Sequence, residues 1–286
     1  PPGATKLTVV NGIADSDTMR LCFLPYPAGA TGEQPWPGSV TGLPFARSAV
    51  VDIAKLVPPD DDVEMVAIAG FVSETGGKTC KSLMESPPFG VVAQSLGVIP
   101  KSAFDEEKSL LIATAGCVGG LLHSHEAQAS ACGKSYTPAT PTATMFAGFM
   151  SRISEPKVVS MQFMHAVAAM DTVTLRLVPG TAAAVHQLIF QKWSPGAIAP
   201  FPPFAMFGAS AFGDVPKVEL EIYLPNQSTP NDVTPFSEAF DNSTLTVADV
   251  ADGRSLVFVA VGAAPAIGDG PWWHGLTYVA VDANPQ

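Results

Sequence analysis

A strand–turn–strand segment that occurs twice limits what this chain can fold into more than any other feature. Lys6–Pro25, KLTVVNGIADSDTMRLCFLP, shifted by 154 positions, lies on Ser160–Pro179, SMQFMHAVAAMDTVTLRLVP. Ala14/Ala168, Asp17/Asp171, Thr18/Thr172, Leu21/Leu175 and Pro25/Pro179 are then identical, and most other positions keep their character. Each copy reads as an apolar strand, a short polar turn holding Asp-Thr, and a second strand closed by proline. Further landmarks recur in the same order: Trp36 with Trp193, Phe45-Ala46 with Phe204-Ala205, Val63-Glu64-Met65 with Val218-Glu219-Leu220, and Ser109-Leu110 with Ser255-Leu256. Their offset drifts from 154 to 159 and back to 146, as length changes in loops produce. A period near 150 residues describes whole domains in tandem, expected at 1–154 and 155–286.

The 286 residues suit two ordinary domains, and a hydrophobic fraction of 47% supplies material for two cores. The net charge is −11, shared between the halves: ten Lys/Arg against fourteen Asp/Glu up to residue 154, then five against twelve. Neither half has a basic patch to neutralise phosphates, which argues against nucleic acid and against an anionic membrane surface as partners. The longest uncharged candidate for a bilayer span, Ser109–Leu122, is too short and is broken by Gly116, Gly119 and Gly120. The chain begins Pro1-Pro2-Gly3 without Met, which fits removal of a signal peptide.

The 27 prolines and 25 glycines sit between apolar runs rather than in a low-complexity tract, the punctuation of many short strands. Strands are expected at 5–11, 18–24, 63–72 (VEMVAIAGFV), 109–116 (SLLIATAG) and 143–153. In the second half they are expected near 158–165, 172–178, 185–192, 204–210, 217–223, 243–247, 255–261 and 275–282. Residues 73–107 read as an insertion absent from the second half, with one or two helical turns over Thr79–Glu85. Pro225–Pro235 reads as turn throughout. Helical stripes are scarce, so the fold class is all-β: two tandem antiparallel β-sandwich domains, immunoglobulin-like or transthyretin-like.

The Asp-Thr turn, the Pro-Gly loop, the Val-Glu-Met strand and the closing SLLIATAG or SLVFVAVG strand together resemble the bacterial family called domain of unknown function 4397. The resemblance implies an extracytoplasmic protein, secreted, periplasmic or on the cell surface, with sandwich domains carried in tandem. The family usually has a Ser-Pro-Asp-like turn where this chain has Ala14-Asp15-Ser16-Asp17 and Ala168-Ala169-Met170-Asp171, so the proline is missing. No catalytic residues attach to that family, and none are carried over.

Cys22, Cys80, Cys117 and Cys132 all lie in the first half and form no C-x-x-C pair, so redox and zinc-ribbon chemistry lack their spacing. In an exported chain they are expected as disulfides, with three pairings open. Cys117–Cys132 would staple the loop that carries histidines, and Cys22–Cys80 would tie the insertion to a strand. His123 and His125, with Glu126, form the densest set of metal-ligand types, since alternate residues of an extended segment point the same way. HExxH spacing is absent, and a solvated loop tip explains the cluster equally well. Asp17 and Asp171 recur in both copies, so they are expected to accept backbone amides in their turns; calcium ligation is the rival account, though no complete EF-hand loop is present. His165, aligned with Asn11, is expected to pack or hold a turn rather than act as a base.

Of the adjacent Trp272 and Trp273, one would face inward and the other outward, where it would offer a flat apolar surface to a sugar or protein. Trp36 and Trp193 are expected to pack. There is no G-x-S-x-G elbow and no phosphate loop, so catalysis and bound cofactors are not expected. These residues describe a structural or binding module that meets a cell-surface protein or glycan. The alternative is a metal- or carbohydrate-binding protein using His123/His125 or Trp272/Trp273.

Overall fold

A computed structural model describes residues 6–57, 61–104, 109–120, 131–151, 156–178, 188–207, 217–264, 270 and 273–284; of 188–190 and 200–207 it describes the backbone alone. In the first half the strands are β1 (Lys6–Val10), β2 (Thr18–Tyr26), β3 (Leu43–Pro44), β4 (Ser48–Asp52), β5 (Asp62–Gly70), β6 (Val91–Ile99), β7 (Ser109–Ala115) and β8 (Thr144–Met150). In the second they are β9 (Val159–His165), β10 (Val173–Val178), β11 (Leu188–Trp193), β12 (Ile198–Phe207), β13 (Glu219–Tyr223), β14 (Asp232–Pro235), β15 (Ser255–Val261) and β16 (Thr277–Asp282). The α-helix among the described residues is α1 (Cys80–Glu85), with Thr79 as its N-cap accepting a bond from the Ser82 amide. The protein is all-β, as expected.

The strands form four sheets, ordered β4-β1-β7-β8 and β3-β2-β5-β6 in the first half, β12-β9-β15-β16 and β11-β10-β13-β14 in the second. No sheet mixes strands from both halves, and the two pairs of orders correspond strand for strand. The registers correspond as well. Leu7 lies opposite Leu110 and Met161 opposite Leu256; Leu24 lies opposite Glu64 and Val178 opposite Glu219. One feature departs from the expectation of purely antiparallel sheets. β1 runs parallel to β7 and β9 parallel to β15, because the chain crosses to the other sheet between them and returns in the same direction.

Burial explains the sequence patterns. β10 alternates buried and half-buried along VTLRLV, as a sheet with one face on a core must. β7, β9 and β15 are buried at every position, and their sequences SLLIATA, VSMQFMH and SLVFVAV show no such alternation. The reason is a four-layer stack. Leu7, Val9, Leu21, Met65 and Ile112 fill the first sandwich, and Phe163, Leu175, Ile222, Phe236 and Phe258 fill the second. A third core lies in the seam between the two inner sheets, so these are packed on both faces. Its members come from counterpart positions: Val10 and Met164, Leu111 and Val257, Ala113 and Val259, Met150 and Ala283. That is the pattern of an isologous contact, here within one chain. Each fully buried Val or Leu in it contributes roughly 1.5–3 kcal/mol. The sheets approach closely enough that an added Cβ at Gly148 would lie 2.6 Å from Ile198 Cδ1, and one at Gly12 would lie 2.3 Å from the Thr114 carbonyl oxygen and 2.7 Å from Val261 Cγ1.

Three expected assignments differ. The stretch 73–107 contains β6, a full partner of β5 with β14 as its counterpart, so the added part is the segment around α1. β14 lies within Pro225–Pro235, expected as turn; its Val233 and Thr234 suit a strand, and Pro235 is tolerated because β14 is an edge. Residues 243–247, expected as a strand, instead make a turn leading into the short 3-10 turn Val247–Asp249. Ser243 holds it there, its hydroxyl donating to Ala280 O at 2.6 Å and accepting from the Leu245 amide at 3.0 Å.

Candidate functional site

The turns that follow β1 and β9 are held by unlike side chains doing the same work. Asn11 is fully buried; its Nδ2 donates to Leu43 O at 2.9 Å and its Oδ1 accepts from the Ile13 amide at 3.1 Å. His165, its counterpart, is also fully buried, and its Nδ1 accepts from the Val167 amide at 3.2 Å. With Nδ1 as acceptor the proton sits on Nε2, which faces Asp171 O at 3.2 Å. Burial pushes the pKa of His165 down to about 4, so the ring is neutral at pH 7. The expected packing role of His165 fits this geometry.

Each half then sends the loop after its central inner strand across the seam onto the other half's turn. From the second half, the His274 amide donates to Ala14 O at 2.8 Å while His274 O accepts from Ala263. The imidazole stacks on Phe45 with ring centroids 4.2 Å apart, and its Nε2 lies 3.0 Å from Asp17 Oδ1. From the first half, a Cβ placed on Gly133 would lie 3.9 Å from Ala169 Cα and 4.0 Å from Ala168 O. Ala14 is therefore bonded by the opposite half, and its counterpart Ala168 lies near Gly133 of the opposite half. Ala14, Cys117, Ala131, Cys132, Tyr136 and Ala263 make a small core at this end, with Trp273 packed against it.

Both disulfides are formed as Cys22–Cys80 and Cys117–Cys132, with Cα–Cα distances of 5.7 and 5.4 Å. Cys117–Cys132 brackets the loop bearing His123 and His125, which lie outside the described residues, as does Trp272. Trp273 is half-buried and packs against this small core. Its ring lies over Gly270, where a Cβ would come within 2.3 Å of it.

The turn role assigned to Asp17 and Asp171 needs correction. The Asp17 side chain is 94% exposed and meets His274, and Asp171 is exposed with its carbonyl, not its carboxylate, bonded to His165. The carboxylate that receives backbone amides is that of Asp15, buried at the base of the disulfide loop. Its Oδ1 accepts from Val118 at 2.8 Å and its Oδ2 from Gly119 at 2.9 Å. Both amides belong to a chain that has just passed a disulfide and cannot pair in a sheet, which is why an acceptor is required there. The signal was in the sequence: Asp15 faces Ala169 in the repeat, so its task belongs to the first half alone. Tyr136 lies nearby, and burial followed by the Asp15 charge pushes its phenol up to about 12.

Arg20 was also missed. It is a lone cation in the apolar run TMRLCFLP, and the structure buries it to 3% exposure. Its guanidinium donates to Pro35 O at 2.8 Å, Pro37 O at 3.0 Å, Gly38 O at 3.3 Å, Thr75 O at 3.4 Å and Thr75 Oγ1 at 2.7 Å, pinning the Pro-Gly loop to the sheet. Burial lowers its pKa. Trp36 and Trp193 pack as expected: Trp36 meets the Phe23 ring edge-on, and Trp193 is 2% exposed beside His165.

Among the described residues, Asp15, Cys117 and Cys132 are the one trio of metal-ligand types within reach of each other, and the two sulfurs are joined. A thiolate pair is therefore not on offer. The buried ionisable groups Asp15, Arg20 and His165 are bonded to backbone amides and carbonyls, which suits holding loops in place. No helix of the described residues is long and apolar enough to cross a membrane. Comparison with protein-family models and with curated proteins finds no match.

Proposed function

We propose that this chain is a secreted or cell-surface module, arisen by tandem duplication of one β-sandwich, that presents a recognition surface and does not catalyse. On this reading the domains are 1–154 and 155–286, and the likeness to the domain of unknown function 4397 family reflects common ancestry. The two closed disulfides support an oxidising compartment.

The observation that carries the reading is the crossing of the loops. Residues named from sequence for two different binding modes, His123/His125 and Trp272/Trp273, belong to loops whose described ends meet in one small core around Cys117–Cys132, Tyr136 and Trp273. Loops held on rigid sheets at a domain junction are where binding surfaces concentrate. The partner is a cell-surface protein or glycan. The second reading keeps the same end and makes it a metal or carbohydrate site.

The test is titration of the full chain with a glycan panel and, separately, with Zn²⁺, Cu²⁺ and Ca²⁺, beside Trp273→Ala, His274→Ala and a His123→Ala/His125→Ala double variant. Saturable glycan binding lost in Trp273→Ala or His274→Ala supports recognition at this end. Zinc or copper binding lost only in the double histidine variant supports the metal reading. Binding that persists in all of them puts the surface elsewhere and defeats both.

A further inference from the structure

We propose that Asn226 is an acceptor for an N-linked glycan, at the tip of the connection between β13 and β14. The chain contains two Asn-x-Ser/Thr sequences, Asn226-Gln227-Ser228 and Asn242-Ser243-Thr244, and the structure separates them. This rests on the extracytoplasmic reading, because lipid-linked glycan donors are used outside the cytoplasm.

The four residues Leu224-Pro225-Asn226-Gln227 make a turn closed by the Gln227 amide donating to Leu224 O at 3.2 Å. Proline stands at its second position, and Asn226, with φ +65°, at its third, the pattern of a type II turn. Residues 225–230 are all exposed, and neither the Asn226 carboxamide nor the Ser228 hydroxyl bonds to another of the described residues. The base of the loop is firm: Asn231 Oδ1 accepts from the Leu224 amide at 3.0 Å and the Asn231 amide donates to Ile222 O at 2.7 Å. A transferase can therefore take the tip without opening the sheet.

The second sequence is built differently. Asn242 is half-buried, and Ser243, inside the triplet, is the residue anchored to Ala280 O and to the Leu245 amide. Drawing that triplet into an enzyme cleft would pull apart the packing of the second half.

In the transfer, Asn226 Nδ2 bonds to the anomeric carbon of the donor sugar and the carbon–oxygen bond to the polyprenyl diphosphate breaks. The carboxamide loses one proton and the diphosphate leaves with the bonding pair. The Ser228 hydroxyl is the element the transferase reads. The glycan would stand beside β14, an edge strand whose Val233 is 47% exposed, and would hinder strand addition there.

The experiment incubates the folded, oxidised full chain with an oligosaccharyltransferase and a lipid-linked oligosaccharide, followed by glycopeptide mapping. Wild type and Asn242→Gln should each gain one glycan at Asn226, while Asn226→Gln and Ser228→Ala, both surface changes that leave the fold intact, should gain none. A folded wild type that stays unmodified, or a glycan mapped to Asn242, overturns the proposal while leaving the extracytoplasmic reading standing. Four titratable thiols in the protein recovered from its exporting cell would overturn that reading and the proposal with it.

Discussion

The outer sheets of the two halves share strand order and register yet have opposite outer faces. In the first half that face carries Cys22, Leu24, Val66 and Ile68, covered by α1 with Leu83 and tied down by Cys22–Cys80. In the second half the same positions hold Arg176, Val178, Glu221 and Tyr223. There Arg176 lies over the Tyr223 ring at 4.3 Å, and the Tyr223 hydroxyl donates to Glu221 Oε2 at 2.6 Å. The inward faces of both sheets remain apolar. A sandwich core therefore constrains one residue in two along an outer strand, and the other is free to become a covered apolar layer or a charged surface.

The largest effect expected from that difference is loss of the staple. Cys22→Ser/Cys80→Ser opens a link spanning 58 residues, worth about 4 kcal/mol by chain entropy. Chemical denaturation should show the first half unfolding well before the second. If the two transitions stay together, the cover on the outer face is not an independent source of stability.

Next come the two arginines. Arg20→Leu strips several buried carbonyls of their donor and should cost about 3 kcal/mol, with the Pro-Gly loop becoming susceptible to protease. Arg176→Leu, at a half-buried surface position, should change stability by less than about 1 kcal/mol. Equal costs would mean that the loop bonds of Arg20 contribute no more than a surface contact.

The halves should also differ in acid. Neutral His165 is favoured in the folded state, whose pKa is about 4, while the unfolded chain titrates near 6.5. Its contribution is complete above pH 6.5 and is lost as pH falls towards 4, by up to about 3 kcal/mol. His165→Asn, the residue that Asn11 provides in the first half, should flatten that dependence in the second half's melting curve. An unchanged acid limb would assign the sensitivity to carboxylates.

The smallest effect concerns the exposed pair across the seam. Asp17→Asn should lower stability by no more than about 1 kcal/mol, and added salt should shrink the difference. A larger loss that calcium restores would instead make Asp17 a metal ligand.

Much of the fold was legible because packing leaves a period in the sequence. β10 announced a half-exposed strand by alternation, and the unbroken apolar runs of β7 and β15 recorded burial on two sides. The strand at 232–235 was obscured by the prolines and asparagines just before it, and the false one at 243–247 was suggested by Leu245 and Val247, whose partial burial accompanies a serine bond far along the chain. The candidate end was legible only in pieces. Cys117, Cys132 and Trp273 stood out by type, but their meeting depends on the crossing of the seam, which involves residues more than a hundred positions apart. The mismatch of Asp15 with Ala169 marked a task of the first half alone but not its partners, and Arg20 was hidden because a buried polar residue is defined by its partners, most of them here backbone atoms with no sequence signature.

The seam also sets a timetable for synthesis. β1 waits for β7, whose pairing residues Leu7 and Leu110 are separated by most of the first half, so that half closes only when nearly all of it has emerged. Once closed, it presents Val10, Leu111, Ala113 and Met150 to solvent until the second half is made. During that interval the nascent chain carries an apolar sheet face whose natural match is the same face on a neighbouring nascent chain. Slow elongation or crowded ribosomes should therefore favour pairing between chains over pairing within one, and rapid delivery of the second half helps the seam to close within a single chain.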